Sequence, residues 1–148
     1  MGHNHRGIKA VSDACQELIS SIFKALTDST ELGALLGGAK IFDRVPERVD
    51  FPYVVIGRTS STDYSTASED GLAVIVFIHC WSQSAARQEI HAIQQHIETE
   101  LTQKMPAMAA NNLIHLRKQY SETQRDHARG LMHGLMRFRA VLEPQPIT

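Results

Sequence analysis

Between Leu72 and Trp81 the chain is apolar on both alternating sets of positions: Leu72, Val74, Val76, Ile78 and Cys80 on one, Ala73, Ile75, Phe77, His79 and Trp81 on the other. Successive side chains of a strand point to opposite faces, so this run predicts a strand covered on both sides. Helices of the same chain can cover one face. A neighbouring subunit is the natural cover for the other. At 148 residues the chain fits one domain, residues 1–148, able to bury roughly 68–70% of the surface its unfolded form exposes.

The helices are legible as stripes. Val11, Cys15, Leu18, Ile19, Ile22 and Leu26 recur at three- and four-residue spacing with polar residues between them, which predicts an amphipathic helix. Asp28-Ser29-Thr30 can cap a short second helix that stops at Gly37-Gly38, where positive φ is accessible. Ala86, Ile90, Ile93, Ile97 and Leu101 form the stripe of another long helix, with Ser82 and Ser84 available as caps and Pro106 ending the pattern.

Strand signals fill the gaps. Ile41 to Pro46 reads as an edge segment, because Pro46 has no amide to donate to a ladder. Tyr53 to Gly57 is β-branched and aromatic and starts right after Pro52. Ser60 to Gly71 is polar throughout and predicts a long loop of the kind that often carries function. Leu113–Tyr120 predicts a strand, Asp126–Gly130 a turn, and Leu131–Leu142 a last strand with Met132, Met136, Phe138, Ala140 and Leu142 facing the core. Residues 1–8 and 143–148 are expected to be flexible ends. The order predicts an α+β domain: a mainly antiparallel sheet of four to five strands with two long helices packed on one face.

Composition excludes several classes. With 43% apolar and 21% charged residues the chain is neither disordered nor a disulfide scaffold. Its longest apolar runs fall short of about 18 residues, so no membrane span is expected. Cys15 and Cys80 sit in apolar stretches and are expected to be free thiols. The formal net charge of −1 hides a polarity: residues 1–110 hold nine Lys/Arg against thirteen Asp/Glu, and residues 111–148 hold six against three. Such asymmetry serves either nucleic-acid binding or the meeting of unlike edges of like subunits.

Reactive constellations are missing. His91 and His96 are five apart, roughly 140° around a helix, so they cannot share a metal. His79 on an apolar strand reads as a buried, hydrogen-bonded imidazole. Its neighbour Cys80 points to the opposite face, so the two form no nucleophile–base pair. Gly33, Gly37 and Gly38 lack the preceding strand or following Lys-Ser/Thr of a phosphate cradle. No catalytic, metal or cofactor site is expected. The basic set Arg117, Lys118, Arg125, Arg129, Arg137 and Arg139 is the best nucleic-acid candidate, though without aromatic interleaving along the sequence.

Ile41-Phe42-Asp43-Arg44-Val45-Pro46 and Phe51-Pro52-Tyr53-Val54-Val55-Ile56-Gly57 resemble segments of a family of tail completion and tail terminator proteins of long-tailed phages and gene transfer agents. The likeness continues through Asp63, Ser65-Thr66, Asp70-Gly71, Trp81-Ser82, His133-Gly134 and Arg137-Phe138-Arg139, and departs from it at Ala85-Ala86-Arg87, where a glycine is expected. The resemblance implies a non-enzymatic virion subunit that assembles as a hexameric ring at the head–tail junction after synthesis in the bacterial cytoplasm. It also implies contacts with the major tail tube protein and with a head-tail connector, and DNA passing through the ring without sequence-specific binding. A connector or stopper of the same particle, and a small nucleic-acid-binding protein, are the alternatives. The residues expected to form subunit or partner contacts are Asp63, Tyr64, Ser65, Thr66, Glu69 and Asp70 in the loop and Arg125, Arg129, Arg137 and Arg139 toward the C-terminus.

Overall fold

The computed structural model describes residues 3–68 and 70–143, with side chains from Ser12 onward; Glu69, the Val11 side chain and the tail from Pro144 lie outside the described residues. Helix α1 spans His3–Thr27 and α2 Thr30–Leu36. Strands β1 (Ile41–Phe42), β2 (Tyr53–Asp63) and β3 (Leu72–Ser82) follow, then α3 (Arg87–Glu98), which runs on as a π-helical turn over Thr99–Gln103, and the long strands β4 (Asn112–Asp126) and β5 (Leu131–Glu143). The five-stranded sheet has the order β1-β2-β3-β5-β4, with β1 parallel to β2 and every other pair antiparallel. The fold is thus α+β with a mainly antiparallel sheet, and the three helices lie against one face.

Several bounds differ from those the sequence suggests. Helix α1 takes in residues 3–8, expected as a loose start, and β5 includes Glu143. Ala14, not Cys15, joins Leu18, Ile22 and Leu26 in the core, while Cys15 lies at the rim. Strand β2 continues through Ser60–Asp63, which pair with Ile75–Leu72, so the predicted dozen-residue loop shrinks to residues 64–71. Ladder hydrogen bonds hold that polar stretch as strand, although its side chains are exposed. A register shift between Ile56 and Thr59 marks where the buried half of β2 gives way to the exposed half.

Capping follows local chemistry. Ser29 Oγ accepts from Leu32 N at 3.2 Å, and Gly37, at φ +75°, closes α2. For α3 the N-cap position is Ala86, which is exposed and outside the core stripe, and Ser84 Oγ accepts from Ala86 N one step earlier. Ser82 instead donates to Glu89 Oε1 in the first turn of α3 and so ties the end of β3 to the helix. Beyond α3, Thr99 and Thr102 hydroxyls donate to the carbonyls of Gln95 and Glu98, a pattern that loosens the α-helical ladder where the wider turn begins.

The core lies between helices and sheet. Leu18, Ile22 and Leu26 of α1, Leu32 and Leu36 of α2, and Ile90, Ile93 and Ile97 of α3 meet Val54, Ile56, Val74, Val76, Ile78, Met132, Met136, Phe138 and Ala140, all buried. Gly134 lets α3 approach β5 closely, because a β-carbon there would lie 2.6 Å from Cys80 Sγ and 2.7 Å from Gln94 Nε2. Buried Gln94 donates to the Glu122 carbonyl at 3.1 Å, joining α3 to β4. Glu17 of α1 accepts from the amides of Ala110 and Asn111 at 2.9 and 3.0 Å, pinning the connection into β4.

Candidate functional site: the open face of the sheet

Every second residue of β3 and β5 is buried beneath the helices, which leaves the other set on a face that no element of the described chain covers. Cross-strand partners share a face, so register defines this surface. β3 contributes Ile75, Phe77, His79 and Trp81, and β5 contributes His133, Leu135, Arg137, Arg139 and Val141. β4 adds Arg117, directly opposite Arg139, Tyr120, opposite Arg137, and Glu122, opposite Leu135 and accepting from the Tyr120 hydroxyl. The floor of the face is apolar, arginines lie over it, and Glu122 stands on the β4 side.

Three guanidinium groups lie over aromatic rings. Arg129 sits 5.1 Å from the centroid of Trp81, Arg137 is 5.9 Å from Phe77, and Arg139 is 5.3 Å from Tyr64 at the tip of the β2–β3 hairpin. The aromatic interleaving absent along the sequence is therefore built across strands. Arg129 also pairs with Asp126 at 2.7 Å, whereas Arg117, Arg137 and Arg139 enter none of the ion pairs among the described residues. Arg125 belongs elsewhere: its Nη2 donates to the Ala85 carbonyl at 2.9 Å, on the helix side, and it clamps the β3–α3 connection.

The hairpin tip is an organised turn. Asp63 Oδ1 accepts from Ser65 N at 2.9 Å, and hydrogen bonding by the Ser65 side chain, with this backbone bond second, holds its carboxyl below the usual range. Ser65 Oγ accepts from Gly71 N at 3.1 Å, Tyr64 N donates to Gly71 O at 2.9 Å, and Thr66 Oγ1 accepts from Ser68 N. Asp63 and Ser65 thus shape the loop, while Tyr64, 56% exposed, and Asp70 are presented outward. Of the expected contact residues, Tyr64 and Arg139 come together, and Arg137 and Arg129 lie along the same face.

Sequence reasoning singled out neither His133 nor Tyr120 for contact, placed Arg117 only in the basic nucleic-acid candidate set, and saw Phe77, His79 and Trp81 only as part of an apolar strand face. The signal was the second apolar set of β3, and what it lacked was the β3–β5 pairing that sets arginines over aromatics. At the middle of the face His79 Nδ1 and His133 Nε2 lie 2.8 Å apart, with the rings nearly parallel and the His133 ring stacked at 4.1 Å on Trp81. Burial depresses both pKa values; for His133 the neighbouring His79 and Arg129 charges add to the depression and Glu122 opposes it. Since the folded state binds these protons more weakly than the unfolded chain, their contribution is intact above the ordinary value of 6.5 and declines as pH falls below it. Thermal melts from pH 7.5 to 5 should show falling stability, and a His79→Asn/His133→Gln variant should flatten the dependence; an unchanged slope in that variant would refute the assignment.

Chemistry is sparse elsewhere. Cys80 faces the core, its thiol pushed up to about 12 by burial, so it is no thiolate nucleophile. Both cysteines are free. Among the described residues there is no group of three or more His, Cys, Asp or Glu able to hold a metal, and no helix is long and apolar enough to cross a membrane. A cleft of about 410 Å³ beside α1, between Glu17, Lys24, Asp28, Glu100 and Lys104, is open, and its charges are largely satisfied: Lys24 pairs with Asp28, Lys104 with Glu100, and Glu17 with backbone amides.

Comparison with known proteins bears on what such a face is for. A family model described as Tail completion protein gp17 matches residues 20–143. Among solved structures, a chain of the "Virion of native gene transfer agent (GTA) particle" superposes with a TM-score of 0.74 at 20% identity, covering 82% of this chain and 91% of that chain. That likeness is one of fold. No curated protein sequence matches.

Proposed function

The chain belongs to the tail completion protein gp17 family, its role is a structural one in a phage-type tail, and from that premise we propose that it is the tail terminator, a subunit that caps the head-proximal end of the tail tube as a ring and joins it to the head connector. The observation that carries this reading is the open sheet face, where an apolar floor and three guanidiniums that pair with no carboxylate among the described residues lie on one continuous surface. Surfaces of that kind recognise other surfaces. No step of the proposed role needs a reacting group, and the chain is read as a non-enzyme that works by docking in the particle, with copies of itself, the tube protein and the connector as partners.

Division of labour follows from geometry. The hairpin tip is exposed, with Tyr64 and Asp70 outward and Asp63 and Ser65 holding its shape, and suits contact with the tube or with a neighbour. Particles assembled without this chain are expected to yield tubes of uncontrolled length that do not join heads. Tubes of normal length that merely fail to join would instead identify the chain as a connector or stopper. In the same assay, replacing residues 65–70 by a two-residue turn should impair joining; wild-type joining would remove the tip from the mechanism.

A further inference from the structure

Resting on that terminator reading, we propose that the open sheet face is the surface on which a second copy of this chain docks head to tail, meeting the Arg117, Arg137 and Arg139 row with its own carboxylates. The first support is charge. Arg117 and Arg139 stand directly opposite each other on neighbouring strands, and Arg137 follows two residues from Arg139 on β5. Like charges directly opposite destabilise a sheet, and no carboxylate among the described residues pairs with any of the three. An anionic partner relieves that repulsion.

The partner's chemistry follows from the floor. Ile75, Phe77, Leu135 and Val141 lie between the guanidiniums, and burying aliphatic side chains demands a partially apolar partner surface, which the sugar-phosphate backbone of a duplex does not offer. A protein with carboxylates fits. This chain supplies them: residues 1–110 carry thirteen Asp/Glu against nine Lys/Arg, and Asp13, Glu31, Asp43, Glu47, Asp50 and Asp70 are exposed.

Charge also fixes the mode of association. A two-fold contact centred on the arginine row would set Arg117, Arg137 and Arg139 against their own copies, so a second copy that meets this row presents a different, acidic surface. Repeated head-to-tail contacts of that kind close into a ring when the rotation between copies closes, as the terminator reading requires. Size agrees: four strands about 4.8 Å apart and about 36 Å long offer roughly 700 Å², near the roughly 800 Å² per partner of a stable interface.

Trp81 is the only tryptophan, and it lies on this face, half-buried in the isolated chain, so its emission reports docking. With the purified full chain, self-association followed by native mass spectrometry should be accompanied by a blue shift of Trp81 emission on concentration, and both should weaken with salt. Arg137→Glu/Arg139→Glu and Arg117→Glu should weaken association about tenfold or more, while circular dichroism and melting temperature stay close to wild type. The milder Arg137→Gln/Arg139→Gln serves if the reversed chain fails to fold. Rings that form normally in the folded variants, with Trp81 emission unchanged, overturn this assignment of the face and leave the terminator reading standing. A wild-type chain that stays monomeric in solution and occurs as a lone copy in particles overturns both. Binding of a 30-nucleotide single-stranded DNA that disappears in the variants while self-association persists assigns the face to nucleic acid and also overturns the proposal.

Discussion

Replacing Phe138 by alanine is expected to cost the fold about 3–5 kcal/mol, the range for truncating a fully buried aromatic residue. Its side chain is 0% exposed and lies on the helix side of β5, between the two residues whose guanidiniums crown the open face. The loss is therefore not confined to the core: Arg137 and Arg139 are held at their rings by the strand that Phe138 anchors. Urea titration should show the midpoint falling sharply, and self-association should fall with it. An unfolding free energy within about 1 kcal/mol of wild type would mean that the helices can repack without this ring.

Gly134→Val should be nearly as damaging for the opposite reason. The added side chain points at Cys80 Sγ, Gln94 Nε2 and Ile90 Cγ1, the last at 3.1 Å from the β-carbon position, so α3 has to move away from the sheet. Overpacking of this kind costs about 1–3 kcal/mol, and it also threatens the Gln94 bond to the Glu122 carbonyl. Thermal melts of Gly134→Ala and Gly134→Val should order as wild type, alanine, valine. If valine melts with the wild type, the helix is not packed on β5 at Gly134.

The elements that were legible share one property: their pattern is local. Leu18, Ile22 and Leu26 repeat at helical spacing and are all buried, and the alternation of Met132, Met136, Phe138, Ala140 and Leu142 marks the core face of β5. What was not legible depends on partners distant in sequence. Ser60–Asp63 look like loop because their side chains are polar, and only pairing with Leu72–Ile75 makes them strand. The same holds for β4 beyond Tyr120, which is polar almost throughout and is carried to Asp126 by its ladder with β5.

The candidate site divides in the same way. Arg129, Arg137 and Arg139 were visible as a basic cluster, and the doubly apolar β3 pointed to a cover beyond the chain's own helices. That Arg139 stands over Tyr64, that Arg117 faces Arg139, and that His79 reaches His133 are consequences of register, which no local motif encodes. Arg125 shows the converse: grouped with the other arginines by sequence, it lies on the helix side by strand alternation and donates to the Ala85 carbonyl.

Electron cryomicroscopy of intact particles, with this chain located in the density, tests the central claim most directly. The account predicts a ring of copies seated on the head-proximal end of the tail tube, each open sheet face covered by the next copy. Density for the chain at the far end of the tail, or only on the head side and out of reach of the tube, would contradict it.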